Sequence, residues 1–396
     1  MEIKGKYGTA KIFTNLVDDE TIKQVYGLLN SPISQNANVR IMPDCHAGAG
    51  CVIGTTMQIT DKVCPNIVGV DIGCGVFTVY LGENDIDLQK LDQFIKQNIP
   101  HGFGVNEEED EFVKRFVKAL KCYDSLTNKD RIYKSLGTLG GGNHFIEIDI
   151  DDEGGKYLLV HSGSRNLGLQ IAKFYQNEAT KLLKQKDNEE VKIIIETLKS
   201  QNKHNEIAET LKNRVYKREW AKELDYLEGE MLNNYLNDMQ LVQTFAYLNR
   251  ETIARKISSY LKIGITLDFD TVHNYIDTAT MILRKGAVSA EECKPLIIPI
   301  NMRDGALICE GKGNVDWNYS APHGAGRVLS RSQAKATLTE KEFVETMEGI
   351  YTTTANINTI DEAPMVYKPI ESIIENIGDT VEIVKIIKPI YNFKAN

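Results

Sequence analysis

The sequence predicts an α+β fold, a body of strands and glycine loops interrupted by a helical stretch. Two observations predict it. Residues 1 to about 165, and those from Ile263 onward, are rich in glycine and in short apolar runs. Between them, from Leu169 to Lys262, there is no proline and a single glycine, Gly229. The chain has 396 residues, long enough for a substantial core.

Taken in order, Ile67–Val70 and Val76–Leu81 read as strands around a turn. Phe145–Ile150 and Tyr157–Val160 read as two more, joined by the acidic turn Asp151–Gly155. In the middle stretch apolar residues recur at helical spacing through Ile171, Phe174, Tyr175, Ala179, Leu182 and Leu183. They do so again through Leu224, Leu227, Met231, Tyr235, Met239 and Val242. This predicts two or more long helices that pack on the body; an arm contacting a partner or RNA is the other role open to them. Thr266–Val272 then alternates like a strand, Leu296–Ile300 is a short buried run, Ile370–Ile377 a last helix, and Val381–Phe393 a strand-like tail. The outer stretches share their texture. Residues 1–396 are therefore expected to form one domain, with 169–262 as a helical insertion.

Composition excludes several classes. With 42% hydrophobic and 26% charged residues the chain is neither disordered nor collagen-like. No apolar run approaches the ~18 residues that span a bilayer, and Met1–Ala10 holds no apolar segment of the secretory kind. Seven cysteines without a CxxC pair point to reduced thiols and a cytoplasmic location. The formal charge of −9 argues against a general nucleic-acid coat protein, while leaving room for a local basic groove.

The chemistry concentrates at histidines. Of seven, His101 and His204 sit in ordinary polar surroundings, whereas His46, His144, His161, His273 and His323 lie at the ends of apolar runs or in glycine turns. In Val68-Gly-Val-Asp71-Ile-Gly-Cys74-Gly75 a glycine turn presents a carboxylate and a thiol that can face one point. Both bind metals as anions; a tight turn around a structural cysteine would read the same way. Gly140-Gly-Gly-Asn143-His144-Phe-Ile-Glu147 places a histidine at a strand start, with His144 and Ile146 expected on one face. Its glycines suit a phosphate or a plain turn, and no Walker Lys-Ser/Thr follows. Tyr157–Arg165 and Thr266–Asn274 each end a strand in a histidine, His161 and His273. Together with Asp71, Cys74 and His144 these make a metal-ligand set, for which donor softness alone favours zinc. In Ala321-Pro-His323-Gly-Ala-Gly-Arg327 small residues leave space beside a histidine. A neutral imidazole is a usable nucleophile at neutral pH, and Arg327 is suited to hold a phosphate; a glycine hinge is the plainer alternative. The residues alone reach as far as a metal-dependent enzyme acting on phosphates.

Taken together, the segments MPDCHAGAG (Met42–Gly50), DIGCG, GGGNHFIE, VHSGSR, HNY, RKGAVSA, HGAGR and DEAP-x-x-YK resemble those of the RtcB-type RNA ligases, in family order over nearly the whole chain. The resemblance implies a single large domain with mixed and antiparallel sheets around a central metal cleft and a long helical insertion. It implies a GTP- and Mn2+-dependent ligase that joins an RNA 3′-phosphate or 2′,3′-cyclic phosphate to a 5′-hydroxyl end, in RNA repair or tRNA splicing. His323 would become guanylylated. Asp71, Cys74, His144, His161 and His273 would bind two Mn2+ per subunit, with Cys74 as the bridge, in place of zinc.

Nucleotide contacts would come from Asn143, His144, Phe145, Ile146 and Glu147, from His273 and Asn274, and from Pro299, Ile300, Asn301 and Met302. Further contacts would come from His323, Gly324, Ala325 and Gly326, and from Lys394 at the guanine. The partners would be RNA ends and GTP, with no membrane, and the enzyme a cytoplasmic monomer. The chain departs from the family pattern at Pro299-Ile-Asn-Met302, where the family has Pro-Gly-Ser-Met, and at Ala306, where it has serine. It also reads Val272-His273-Asn274 and Ser164-Arg165-Asn166 where His-His-Asn and Ser-Arg-Gly are usual, and its tail ends Lys-Ala-Asn. A metal-dependent phosphatase or nuclease would use the same ligands without His323; a non-catalytic RNA-end binder would leave the ligand set unexplained. No Lys-x-Asp-Gly motif is present, which disfavours an adenylylated-lysine ligase.

Overall fold

The structure, a computed structural model, describes residues 1–213 and 220–395. Residues 214–219 of the expected helical stretch and the last residue of the tail lie outside them.

Two sheets carry the body. In the larger, strands run in the order Asp268–Val272, Gly75–Gly82, Lys156–Ser162, Phe145–Ile150, Val381–Lys394, Gly305–Gly311 and Pro295–Asn301, all antiparallel neighbours, with Tyr351–Thr352 added in parallel on the tail strand. The smaller runs Glu2–Lys4, Thr9–Ile12, Val39–His46, Ile53–Gln58, Ile282–Lys285 and Asn274–Asp277. The chain crosses from one sheet to the other at a single residue. Val272 pairs with Gly75 in the larger sheet, Asn274 pairs with Lys285 in the smaller, and His273 lies between them.

Alternation along Phe145–Ile150 sorts the two faces. Ile146 and Ile148 join Leu158, Val160, Ile253 and Ile257 in a core behind the sheet, whereas Phe145 packs with Val76, Leu159 and Ile297 on the opposite face.

The helical stretch contains Arg165–Ser200 and Gly229–Leu261. The first buries Leu167, Gly168, Ile171, Ala172, Tyr175, Ala179 and Leu183, and no residue after Leu183. The second is buried along most of its length, through Leu232, Tyr235, Met239, Val242, Phe245, Asn249, Ile253 and Ile257, at the three- and four-residue spacing of one helix face. It packs against the first helix and against Gly75–Gly82 and Lys156–Ser162. A left-handed Lys262 ends it, with its N–H on the carbonyls of Ser258 and Ser259.

Two local expectations are corrected. Ile67–Val70 is not a strand: Pro65–Val68 is one turn of helix, ended by Gly69 at φ 100°. Pro65 sits at the first helical position, where its missing N–H costs nothing, and this outweighs the β-branched run after it. His144 does not share a face with Ile146. It precedes the strand, in a turn where Gly140 and Gly142 adopt positive φ, and its ring points to Asp71 while Ile146 points into the rear core.

Candidate active site

Four stretches of chain deliver the donors to one point. The turn after the Pro65–Val68 helix presents Asp71 and Cys74, the start of Phe145–Ile150 presents His144, and Lys156–Ser162 presents His161. His273 arrives at the crossing between the sheets, its N–H on the Cys74 carbonyl at 2.9 Å.

Cys74 Sγ lies 3.5 Å from His144 Nε2 and 3.3 Å from His161 Nε2. His144 Nε2 is 3.0 Å from Asp71 Oδ2, and His161 Nε2 is 3.2 Å from His273 Nε2. The donors fall into two triads, Asp71–Cys74–His144 and Cys74–His161–His273, with Cys74 common to both.

The donor set fits metal binding. His144 Nδ1 faces the Leu139 carbonyl at 2.8 Å and His161 Nδ1 the Asn143 carbonyl at 3.1 Å. A carbonyl can only accept, so each Nδ1 carries a proton, and with a cation in place each Nε2 would offer its lone pair to it. Burial, then neighbouring imidazoles, push His161 and His273 well below the usual histidine range, so both are neutral. Burial pushes Asp71 up, but the hydrogen bond and charge of His144 outweigh it and hold the carboxyl at about 2. Burial and Asp71 raise the Cys74 thiol; a cation at this point would reverse that shift.

Two adjacent residues of Gly229–Leu261 fasten these loops. Arg250, fully buried, holds Asp270 through Nε at 2.7 Å and Nη2 at 2.6 Å. Its Nη1 donates to the Gly73 carbonyl at 2.6 Å and the Ser162 carbonyl at 2.8 Å. Asn249 accepts from the N–H groups of Gly137 and Thr138 and donates to the carbonyls of Thr138 and Gly163. The helical stretch thus forms the backing of the site.

His323 stands beside the cluster. Its ring stacks on that of His273, centroids 4.8 Å apart. Its Nδ1 is 2.7 Å from Asp44 Oδ2, and its backbone N–H donates to the same oxygen at 3.1 Å. Asp44 is fully buried. Its strand, Val39–His46, is tied down by Lys368, whose Nζ donates to the Pro43 carbonyl at 3.1 Å, as Lys285 ties the following loop at the Ala49 carbonyl at 2.8 Å. Asp44, Lys285 and Lys368 all lie in segments that the sequence singles out, but nothing in a linear reading gave them roles.

A cleft of about 1090 Å³ opens from this point. Among the expected nucleotide contacts, Asn143, Phe145, Glu147, His273, Pro299–Met302, His323–Gly326 and Lys394 line it. Ile146 offers it no side chain, His144 is turned to the metal donors, and Asn274 instead braces Gly286, whose N–H reaches its Oδ1 at 3.0 Å.

At the far end Glu362 gathers four partners: Tyr367 Oη at 2.6 Å, Arg331 Nη1 at 2.8 Å, Lys394 Nζ at 3.2 Å and Arg327 Nη1 at 3.3 Å. Burial raises its carboxyl, yet Lys394 and Arg331 bring it down to about 2. Arg327, which lines the cleft, spends three of its five donors on Glu362 and on the carbonyls of Leu329 and Asp361.

Fold and site together define a single-domain α+β protein in which a carboxylate-held imidazole adjoins a cysteine-centred metal-donor cluster in a deep cleft. The chain belongs to the RtcB family: the family described as tRNA-splicing ligase RtcB matches over residues 24–124 and 115–395, which makes it an RtcB-type ligase. It is 30% identical to the RNA-splicing ligase RtcB of Escherichia coli (strain K12) over 90% of both chains. It is 28% identical to the tRNA-splicing ligase RtcB of Aeropyrum pernix over 84% of this chain and 82% of that one.

Proposed function

We propose that the chain is a GTP- and Mn2+-dependent RNA ligase joining 3′-phosphate or 2′,3′-cyclic phosphate ends to 5′-hydroxyl ends, in RNA repair or tRNA splicing. The reading rests above all on His323. With Nδ1–H donated to Asp44, Nε2 keeps its lone pair beside the metal donors. Such an imidazole also serves as a general base toward water; the match to the tRNA-splicing ligase family favours its use as the nucleophile.

In the first step His323 Nε2 attacks the α-phosphorus of GTP. The bond to the β-bridging oxygen breaks, pyrophosphate leaves, and Nε2 carries GMP. An oxygen of the RNA 3′-phosphate then attacks the GMP phosphorus, and the N–P bond breaks to return the imidazole. Finally the 5′-hydroxyl oxygen attacks the RNA phosphorus and loses its proton, a phosphodiester forms, and GMP departs. A cyclic end is first opened by water to the 3′-phosphate. Asp44 steadies the ring and the positive charge that attack places on it.

Asp71, Cys74, His144, His161 and His273 would hold two Mn2+. Bound there, the ions supply positive charge to the triphosphate and the displaced oxygens. Glu147, with Asn392 and Lys394 about it, is suited to accept from the N1 and N2 hydrogens of guanine. No helix among the described residues is long and apolar enough to cross a membrane; a cytoplasmic monomer completes the proposal.

Incubation with Mn2+ and labelled GTP should give an acid-labile protein–GMP adduct that is absent in His323→Ala. An adduct formed normally by that variant would overturn the mechanism.

A further inference from the structure

Behind Glu147, at the base end of the cleft, lies a second carboxyl that the reaction does not use. Asp149 is two residues beyond Glu147 on the same strand, so both side chains project from the same face. Asp149 is fully buried, and neither of its oxygens has a hydrogen-bond donor among the described residues. Glu147 is almost as buried but lines the cleft, and it receives Nδ2 of Asn392. The two buried carboxyls are thus neighbours on one face of the strand, and no donor from the described residues reaches Asp149.

We infer that Asp149 is a neutral carboxylic acid whose proton is shared with Glu147, so that this end of the cleft carries one negative charge rather than two. Two carboxylates contain only acceptors and repel, so a buried pair on one strand face with no donor at Asp149 requires a proton. The groups around the pair leave no other donor for Asp149. On Lys156–Ser162 its cross-strand partner is Tyr157, whose hydroxyl donates to Asp151 at 3.1 Å. On Val381–Lys394, Lys385 is held by Asp151 and Glu153, Asn392 turns to Glu147, and the Lys394 charge acts on Glu147. The only ionisable group bearing on Asp149 among the described residues is Glu147.

The proton goes to the deeper acid. Burial pushes both carboxyls up, Asp149 further, while Asn392 and Lys394 favour the charged form of Glu147. Asp149 is then a positioning residue. Its O–H and the Asn392 N–H together fix the orientation of the Glu147 carboxylate, leaving its remaining lone pairs for a ligand with adjacent N–H donors.

This role rests on the cleft being a nucleotide site, but the proton itself can be tested without nucleotide. Infrared difference spectra of the full chain against Asp149→Asn at neutral pH should show the C=O stretch of a protonated carboxyl that the variant lacks and that shifts in D2O. Absence of that band overturns the inference. The second measurement is calorimetric GTP binding in the presence of Mn2+. Asp149→Asn keeps an N–H donor for Glu147 and should bind about tenfold more tightly than Asp149→Ala, the size of a hydrogen bond to a charged group. Equal affinities for the two variants overturn the positioning role. If the unaltered chain binds no GTP, the ligase reading fails while the infrared band still decides the proton.

Discussion

The imidazoles of His323 and His273 are stacked with their planes 28° apart, which puts the carboxylate-held ring of one segment directly on a donor of the metal cluster. Neither residue is near the other in sequence. The contact exists because one ends the short strand Ser320–Pro322 and the other sits at the crossing between sheets.

The buried Asp44 should therefore matter more for the rate of attack than for binding. Asp44→Asn is expected to lower single-turnover guanylylation by about 10²-fold or more, as loss of an orienting carboxylate does elsewhere, while GTP affinity shifts only slightly. A variant with an unaltered rate would remove Asp44 from the mechanism.

Metal stoichiometry should follow the shared thiol. Cys74→Ala is expected to empty both triads, whereas His273→Ala disrupts one and leaves Asp71, Cys74 and His144 intact. Elemental analysis of the purified variants after Mn2+ loading and desalting distinguishes them; a Cys74→Ala chain that retains the full complement contradicts the shared role.

Glu362 gives a pH signature. Its carboxyl is lowered from an ordinary 4.5 to about 2 in the fold. Its contribution to stability is present above the unfolded value and is lost as pH falls through the folded one. Glu362→Gln should cost about 3 kcal/mol near pH 7 by leaving buried cations without their partner. The gap to the unaltered chain should narrow as pH drops from 4.5 toward 2. Denaturant melts across that range measure it; a constant gap would mean that the carboxylate charge contributes nothing.

Arg250→Met tests the brace behind the loops. It leaves Asp270 and two carbonyls without their donor, and the expected loss is about 3–5 kcal/mol of unfolding free energy, with weakened Mn2+ retention. Urea unfolding and metal analysis of the same preparation report both; unchanged retention in a folded variant would confine Arg250 to stability.

What the chain discloses in linear form is uneven, and the reasons are physical. The histidines gathered at the cluster were legible because apolar runs ending in His161 and His273 leave the ring at a strand end. The strands Phe145–Ile150 and Pro295–Asn301, and the helix Ile370–Ile377, were legible from their apolar patterns. The brace was not. Asn249 and Arg250 are polar residues in a helix, and their role appears only when that helix lies against the Gly73 and Ser162 carbonyls. Asp44 was similarly hidden, since its partner lies 279 residues further along. The anchoring of Arg327 was hidden too, because a guanidinium reads alike whether its donors face a ligand or the protein's own carbonyls.

Because His273 is the lone residue joining two strands that belong to different sheets, the chain has no slack there. One extra residue would invert the alternation of a neighbouring strand or swing the imidazole off the cluster, so this joint should tolerate neither insertion nor deletion. An ion gripped by His273 would also act as a rivet between the two halves. Its arrival should slow amide-hydrogen exchange in Asn274–Asp277, on the side of the joint away from the thiol.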